Sequence, residues 1–177
     1  MAGILAFAGS NSSNSINYKL VRHTGGMIKE HDVQFLNMIN YPFPMYSEDL
    51  EKEKGFSNSL AEFKDYIKEV DGLIISVNEH NGGPSAYFKN LLDWLSRLER
   101  KFLEDKKVLL MSCSPGGRGA LGALEYAQNA LPRFGAEIVS TFSLPSFHAN
   151  FDKEDGIKDE ELKAAHQNAL SEFLSKM

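Results

Sequence analysis

An apolar run passes directly into a loop of glycine and hydroxyl residues in the stretch Ile4-Leu5-Ala6-Phe7-Ala8-Gly9-Ser10-Asn11-Ser12-Ser13-Asn14-Ser15-Ile16-Asn17. The run Ile4–Ala8 predicts a short buried strand, and a helix is predicted from about Ser15 to Lys29. The first turn of a helix carries unpaired N–H groups and the positive end of the helix dipole. A strand that is followed by such a loop and then by a helix therefore predicts an anion site.

The loop between these two elements is rich in hydrogen-bond donors. Ser10, Ser12 and Ser15 offer hydroxyl groups, and Asn17 adds an amide. Gly9 lets the backbone turn tightly and approach a ligand closely. The motif G-x-x-x-x-G-K-[ST] is absent, so the loop is not an NTPase P-loop. Its chemistry suits a single terminal phosphate monoester, a group that FMN carries, but a serine-rich turn that only caps the helix is the alternative.

Four further apolar runs alternate with helical patterns along the chain, and the predicted strands are Ile4–Ala8, Val33–Leu36, Leu73–Val77, Val108–Met111 and Ile138–Phe142. Three of these runs are nearly continuous, as expected of parallel strands that are buried on both faces. The alternation predicts an α/β fold, a three-layer doubly wound sheet of five parallel strands. Five strands favour the flavodoxin-like order 2-1-3-4-5.

Later helices are predicted at about Ser57–Val70, from Tyr87 to Leu98, from the end of the fourth strand to about Phe134, and from Asp159 to about Ser175. Two stretches have no helical or strand pattern, and they are Asn40–Gly55 and Leu144–Gly156. The aromatic residues of the first stretch are compatible with the wall of a ligand site, with a subunit contact, or with a surface loop packed on the core.

Composition limits the possible partners. The 177 residues are 42% hydrophobic and 24% charged, which fits one domain spanning 1–177 with a sizeable core. A formal net charge of −5 predicts no binding to nucleic acid or to an anionic membrane. No apolar run approaches the ~20 residues of a membrane span, and no signal peptide is expected. The single Cys113 predicts a reducing, cytoplasmic environment, and the five histidines have no metal-ligand spacing.

Three glycine- and serine-rich loops follow predicted strands one, three and four, and they are Gly9–Asn17, Asn78–Pro84 and Ser112–Gly119. In doubly wound sheets ligands bind beyond the carboxyl ends of the strands, so the three loops are expected to converge there. Convergence of three loops is harder to explain by helix capping than one loop would be. The pattern therefore favours a ligand site.

A dinucleotide fingerprint is also present but is a poor match. Residues 117–122 read G-x-G-x-x-G, and Glu137 lies 20 residues after Gly117. The fingerprint belongs to the first βα turn, whereas this copy follows the fourth strand. Glu137 also begins its predicted strand instead of ending it, so it lies at the wrong edge of the sheet for a ribose contact. We therefore do not expect a Rossmann nucleotide site.

The three loops together resemble the NADPH-dependent FMN reductase family, which includes quinone, azo-dye and chromate reductases. The family's first loop, G-S-x-R-x-x-S-x-N, reads G-S-N-S-S-N-S-I-N at residues 9–17. Its second, close to P-E-Y-N-x-x-x-P-x-x-L-K-N-x-x-D-W, reads N-E-H-N-G-G-P-S-A-Y-F-K-N-L-L-D-W at residues 78–94, and its third, S-x-S-P-G-G-x-G, matches residues 112–119. Ser12 replaces the usual arginine, and Asn78 and His80 replace the usual proline and tyrosine.

The resemblance implies three groups of cofactor-binding residues. The phosphate of FMN would be held by Ser10, Ser12, Ser15, Ile16 and Asn17. The edge of the isoalloxazine ring would lie beside Asn78, Glu79, His80, Asn81 and Gly82. The third group, at the expected start of the fourth helix, would approach the other side of the flavin and consists of Ser114, Gly116, Gly117 and Arg118. That helix start would stabilise negative charge on the flavin or on a cofactor phosphate, and Arg118 is the best candidate for contacting NADPH.

The implied function is an FMN-dependent NAD(P)H oxidoreductase. It would pass a hydride from NADPH or NADH through flavin N5 to a small acceptor (a quinone, an azo compound, a flavin or a metal oxyanion) by a ping-pong mechanism, with no catalytic acid or base. An FMN-binding electron carrier or sensor with little reductase activity is the alternative, and a protein that kept the scaffold without flavin is a third. A homodimer or homotetramer is implied, with Trp94 expected in the subunit interface rather than buried within one chain.

Overall fold

The computed structural model describes residues 2–177, and Met1 lies outside them. Its strands in chain order are β1 (Gly3–Ala8), β2 (Asp32–Leu36), β3 (Gly72–Val77), β4 (Glu79–His80), β5 (Gly83–Pro84), β6 (Lys107–Cys113), β7 (Glu137–Leu144), β8 (Phe151–Asp152) and β9 (Gly156–Ile157). Five of them form one parallel sheet in the order β2-β1-β3-β6-β7. Counting only those five strands, the order is 2-1-3-4-5, which confirms the predicted flavodoxin-like topology.

The helices in chain order are α1 (Ile16–Gly26), α2 (Glu48–Lys54), α3 (Asn58–Glu69), α4 (Ala86–Leu98), α5 (Leu121–Ala130), α6 (Phe147–Asn150) and α7 (Glu160–Leu174). Two 3₁₀ turns cover Met38–Asn40 and Leu131–Phe134. Among the helices of residues 2–177, none has the length and apolar character needed to cross a bilayer.

Both faces of the central strands are buried. Along β1, Leu5 and Phe7 pack with Phe63 of α3, while Ile4 and Ala6 pack in a second cluster on the opposite face. The first cluster draws on α3, α4 and α5, and the second on α1 and α7. All six residues of β3 are buried. This burial on two faces explains why the sequence shows continuous apolar runs rather than alternation.

Helix α1 ends in two glycines, Gly25 and Gly26, and the packing of the first one requires glycine. A Cβ atom at Gly25 would lie 2.6 Å from the ring of Phe35, so only glycine allows α1 to approach β2 this closely. The neighbouring Gly26 has open space around it and is the last residue of α1. The helix therefore ends three residues before the predicted Lys29.

Helix α4 anchors the aromatic segment before α2. The Tyr87 hydroxyl donates to the carbonyl of Tyr41 at 2.8 Å. Asn90 donates through Nδ2 to the Pro44 carbonyl at 2.9 Å, and Trp94 Nε1 donates to the same oxygen at 2.8 Å. The segment is therefore a loop packed on the core. The expectation that Trp94 lies in a subunit interface is wrong, because its side chain is only 4% exposed within a single chain.

Helix α2 was not predicted, because the sequence analysis treated residues 40–55 as irregular. None of its residues is buried, so it has no apolar periodicity to detect. Ser47 caps it by accepting from the N–H of Leu50 at 3.1 Å. A paired contact attaches it to α4, with Arg97 Nε and Nη2 donating to the two carboxylate oxygens of Glu51 at 2.9 and 3.1 Å.

Candidate functional site at the carboxyl edge of the sheet

Three hydroxyl groups of the first loop each accept a hydrogen bond from the backbone. Ser15 is the N-cap of α1, and its Oγ accepts from the N–H of Tyr18 at 3.1 Å. Ser10 Oγ accepts from the N–H of Ser12, and Ser12 Oγ accepts from the N–H of Asn14, both at 3.3 Å. Within residues 2–177 none of these three hydroxyl groups donates its own proton. Each therefore caps or shapes the loop and keeps a donor for a ligand.

Two backbone donors remain open at the start of α1. The N–H groups of Tyr18 and Lys19 are bonded to Ser15, through its hydroxyl and its carbonyl. In the described chain, the N–H groups of Ile16 and Asn17 have no acceptor. Free N–H groups at a helix N-terminus, next to hydroxyl donors, form an anion site.

The side chain of Asn17 is hydrogen-bonded within the protein. It is 2% exposed, and its Nδ2 donates to the carbonyl of Cys113 at 3.2 Å. Its Oδ1 accepts from Ser76 Oγ at 2.7 Å and from the N–H of Cys113 at 3.1 Å. The amide therefore ties α1 to β3 and β6. The expected phosphate contact of this side chain stays a prediction, and the backbone N–H of Asn17 remains available to a ligand.

Gly9 sets the position of the first loop against α4. A Cβ atom at this residue would lie 2.6 Å from Cδ2 of Phe88. The carbonyl of Gly9 accepts from Ser85 Oγ at 3.1 Å, and its N–H donates to the carbonyl of Ser76 at 2.8 Å. The close approach that the sequence predicted for Gly9 is thus an approach to the protein's own helix.

The second loop is a β-hairpin formed by β4 and β5. Its turn residues, Asn81 and Gly82, have φ values of 53° and 78°. Two positive φ angles are what a tight two-residue hairpin turn requires, and Asn-Gly is the dipeptide that most favours it. This segment was predicted only as a loop, although the Asn-Gly signal was present in the sequence.

Glu79 of this hairpin caps α5. Its carboxylate Oε2 accepts from the N–H of Ala123 at 3.0 Å, in the first turn of the helix. The helix has no cap from its own N-cap residue, Ala120. A Cβ atom at Gly122 would lie 2.5 Å from the Gly82 carbonyl, so the hairpin rests directly on the helix. The start of α5 thus already carries a carboxylate, and the expected approach of a flavin or a phosphate to it stays a prediction.

The third loop lies before α5 and not within it. The helix begins at Leu121, so the predicted residues 114–118 precede its first turn. The loop is fixed through Gly119, which has φ +61° and whose carbonyl accepts from Ser112 Oγ at 2.7 Å and from Ser143 Oγ at 2.9 Å. Arg118 is exposed, and its guanidinium has no hydrogen-bond or ion-pair partner among residues 2–177.

A cavity of about 260 Å³ lies between the three loops. We call it the loop cavity, and it is lined by Ser10, Ser12, Asn14, Ser15, Ile16, Asn17, Asn78, Glu79, His80, Cys113, Ser114 and Pro115. Nine of the predicted residues are in this set, and five are not, namely Asn81, Gly82, Gly116, Gly117 and Arg118. Three lining residues were missed, Asn14, Cys113 and Pro115, and their only sequence signal was adjacency to predicted ones.

The electrostatics of the loop cavity come from neutral donors and one carboxylate. No lysine or arginine is among its lining residues. Asn78 Nδ2 lies 3.4 Å from His80 Nε2, and the buried Oδ1 of Asn78 has no hydrogen-bond partner. Burial raises the pKa of the Cys113 thiol, so it stays protonated and unreactive. The volume is below the roughly 300–1,000 Å³ of enclosed ligand pockets, so a ligand here is partly exposed.

Comparison with known proteins agrees with this arrangement. The sequence pattern of the family described as NADPH-dependent FMN reductase matches residues 2–149. A quinone reductase of Escherichia coli K12 is 36% identical over 73 residues, which cover 41% of this chain and only 39% of that protein. An NADPH:quinone oxidoreductase of Arabidopsis thaliana is 27% identical over 179 residues, covering 94% of this chain and 87% of that protein.

Similarity to solved structures concerns the fold. The flavoenzyme NAD(P)H:(acceptor) oxidoreductase FerB of Paracoccus denitrificans superposes with a TM-score of 0.76 at 22% identity, covering 99% of this chain and 96% of that one. The fold and the loop cavity define a flavodoxin-like protein with unpaired hydrogen-bond donors at the carboxyl edge of its sheet. The match over residues 2–149 shows that the chain belongs to the NADPH-dependent FMN reductase family. It is an oxidoreductase of this type, with FMN and NAD(P)H as cofactors.

Proposed function

We propose that this protein passes a hydride from NAD(P)H through FMN to a small acceptor, by a ping-pong mechanism, with the loop cavity as the flavin site. Bound FMN supplies the hydride chemistry at N5 of its ring, and the protein supplies binding, orientation and electrostatics. The observation that carries the proposal is the pair of free N–H groups on Ile16 and Asn17, beside the hydroxyl groups of Ser10, Ser12 and Ser15.

These donors fit the terminal phosphate of FMN. Five uncharged donors converge on one side of the loop cavity, and the dipole of α1 favours an anion there. Ser10 and Ser15 are 6% and 9% exposed, so their hydroxyl groups are already held in place before a ligand arrives. Preorganised donors lose little entropy on binding. Charge neutralisation is incomplete, however, because Ser12 offers a hydroxyl where the family usually has a guanidinium.

The hairpin would orient the ring of the flavin. We propose contacts from Asn78, Glu79 and His80 on the cavity wall, with Asn81 and Gly82 at the hairpin tip beside the ring edge. The bond from Ala123 N–H to the Glu79 carboxylate fixes this hairpin on α5. The free Oδ1 of Asn78 accepts hydrogen bonds only, so it would meet a donor of the ligand. No side chain is assigned as an acid or base.

The third loop would contact the nicotinamide cofactor. We propose that Ser114, Gly116, Gly117 and Arg118 form this contact, because Ser114 lines the loop cavity and the Arg118 side chain is exposed beside it without an internal partner. Named relatives of this chain reduce quinones, which supports a small-molecule acceptor of the quinone class.

A titration followed by turnover tests this proposal. FMN added to the purified protein should lose fluorescence with a stoichiometry of one per chain, and the holoprotein should oxidise NADPH or NADH when a benzoquinone is present. Double-reciprocal plots of initial rate against NADPH concentration, each at a different fixed quinone concentration, should be parallel lines, as ping-pong kinetics requires. Absence of FMN quenching, together with no shift in melting temperature, would refute the flavin site.

An FMN-binding electron carrier is the second candidate, and the absence of any lysine or arginine from the cavity lining favours it. In that case the bound flavin would bleach with dithionite but not with NADPH or NADH. Bleaching by either nucleotide within seconds would exclude the carrier.

The oligomeric state stays a prediction. The exposed apolar residues Met45 (69% exposed) and Phe56 (37% exposed) support a homodimer or homotetramer, because exposed apolar surface is typical of subunit contacts. Light scattering after gel filtration should give a mass of two or four chains, and Met45→Lys should lower it.

A further inference from the structure

A second cavity, of about 570 Å³, lies on the outer side of α1. We call it the α1 cavity, and it is lined by Tyr18, Lys19, Arg22, His23, Phe147, His148, Phe151 and Lys153. It shares no lining residue with the loop cavity. Its volume falls in the range of about 300–1,000 Å³ that is typical of small-molecule sites.

The charge of the α1 cavity is opposite to that of the whole chain. Lys19, Arg22 and Lys153 line it, and no aspartate or glutamate is among its lining residues, although the chain carries a net charge of −5. Burial, with a contribution from Lys163, lowers the pKa of His23. The two lysines and the arginine therefore give the cavity a positive charge that does not depend on His23, and this charge favours an anion.

The apolar part of the cavity wall is aromatic. The rings of Phe147 and Phe151 are stacked, with centroids 4.7 Å apart and planes inclined by 20°. His23 meets the Phe151 ring edge-on at 5.5 Å. A planar ring is well suited to such a wall, because offset-stacked and edge-to-face contacts add to the gain from burying apolar area.

Packing holds this wall in place without a ligand. Gly156 of β9 lies directly against the His23 ring, so closely that a Cβ atom there would collide with it. The guanidinium of Arg22 sits 4.1 Å from the centroid of the Phe35 ring, which restricts its movement. Phe147 is 4% exposed and its N–H donates to the carbonyl of Ser114 at 2.9 Å. Arg22 and the aromatic rings are thus held in place before binding, whereas Lys19 and Lys153 are exposed side chains at the cavity.

We propose that the α1 cavity is a binding site for a small planar aromatic anion, distinct from the flavin site. The anionic group pairs with Lys19, Arg22 and Lys153, and the ring lies against Phe147 and Phe151. The site depends on neither FMN nor turnover, so it stands or falls independently of the proposed function.

Calorimetric titration with 2-naphthoate tests the requirement for charge and ring together. The titration is made on the protein saturated with FMN and again on the protein without FMN. We expect one site per chain in both, with 2-naphthamide and acetate each binding about tenfold or more weakly. Equal affinity for the amide would overturn the anionic requirement, equal affinity for acetate would overturn the aromatic one, and loss of binding on FMN saturation would place naphthoate in the loop cavity and overturn the proposal.

Substitutions locate the site. Arg22→Gln and Lys153→Gln should each weaken 2-naphthoate about fivefold to tenfold, because each removes one charge from the cavity. Lys29→Gln is the matched control, since it removes the same charge from an exposed residue outside the cavity lining. An equal loss in the Lys29 variant, or no loss in the other two, would contradict the proposal, and unchanged FMN affinity would show that the flavin site is intact.

Discussion

Two helices that begin at the carboxyl edge of the sheet, α1 and α5, differ in what meets their first turns. Helix α1 is capped by its own Ser15 and leaves the N–H groups of Ile16 and Asn17 free. Helix α5 has no cap from its own sequence and receives the carboxylate of Glu79 instead. Both helix ends have the same dipole, yet only α1 remains open to an external anion. A helix N-terminus thus becomes a ligand site only when nothing else in the fold occupies it.

Placing a negative charge at the open helix end should give the largest effect. Ser15→Asp keeps an N-cap but sets a carboxylate beside the proposed phosphate position, so FMN affinity should fall about 100-fold, or about 3 kcal/mol. Fluorescence titration measures this change. Ser57→Asp is the control, because Ser57 caps α3 by the same bond to Leu60 and does not line the loop cavity. Unchanged FMN affinity in the Ser15 variant would show that the FMN phosphate does not bind at the start of α1.

Acid should lower the stability of the fold through His166, which packs against α1. His166 is 1% exposed, and its Nε2 lies 2.8 Å from Thr24 Oγ1 of α1. Burial, with a smaller effect of His23, lowers the pKa of His166 from 6.5 to about 4. The unfolded chain therefore takes up this proton near pH 6.5, whereas the folded chain takes it up only near pH 4. The contribution of the neutral His166 to stability is fully present above pH 6.5 and is lost as pH decreases through this window, by about 3 kcal/mol in all.

Urea unfolding at pH 7.5 and at pH 4.5 measures this loss, with His166→Gln for comparison. Because glutamine does not titrate, the loss between the two pH values should be smaller in the variant by about 2 kcal/mol. The same pH dependence in both proteins would mean that His166 is not the group responsible.

Opening the closed helix end should have a moderate effect. Glu79→Ala leaves the first turn of α5 without its cap, so the free energy of unfolding should decrease by about 1–2 kcal/mol. Glu125→Ala on the exposed side of α5 removes the same charge without touching a cap and serves as the control. Denaturant midpoints measure both. Equal stability of the two variants would show that the carboxylate of Glu79 contributes nothing to α5.

Adding a positive charge at the open end should have the smallest effect. Ser12→Arg introduces a guanidinium on the wall of the loop cavity and should tighten FMN about fivefold to tenfold, with the gain decreasing at high salt. Ser13→Arg adds the same charge outside the cavity lining. If both variants tighten FMN equally, the gain is general attraction and not a contact at the phosphate.

Local sequence predicted the elements whose burial is periodic. The five strands and helices α1, α3, α4, α5 and α7 leave apolar patterns, so their presence and the strand order followed from the sequence. Elements without buried residues or of two residues leave none. Helix α2 forms through the Ser47 cap and the contact of Glu51 with Arg97, and β8 pairs with β9 across a three-residue turn. Such elements depend on individual capping, pairing and side-chain contacts and not on apolar periodicity.

The candidate site likewise has features that follow from the local sequence and features that only the tertiary structure decides. The strand–loop–helix stretch at residues 4–17 determined that hydroxyl and backbone N–H donors would lie together at the end of the first strand. Only the tertiary structure decided which donors are available, because hydrogen bonds from distant strands engage the Asn17 amide and a hairpin carboxylate closes α5. The α1 cavity likewise joins residues about 130 positions apart, such as Tyr18 and Phe147. A helix dipole and its hydrogen-bond donors follow from the local sequence. Whether those donors are already bonded within the protein depends on which residues the fold places beside them.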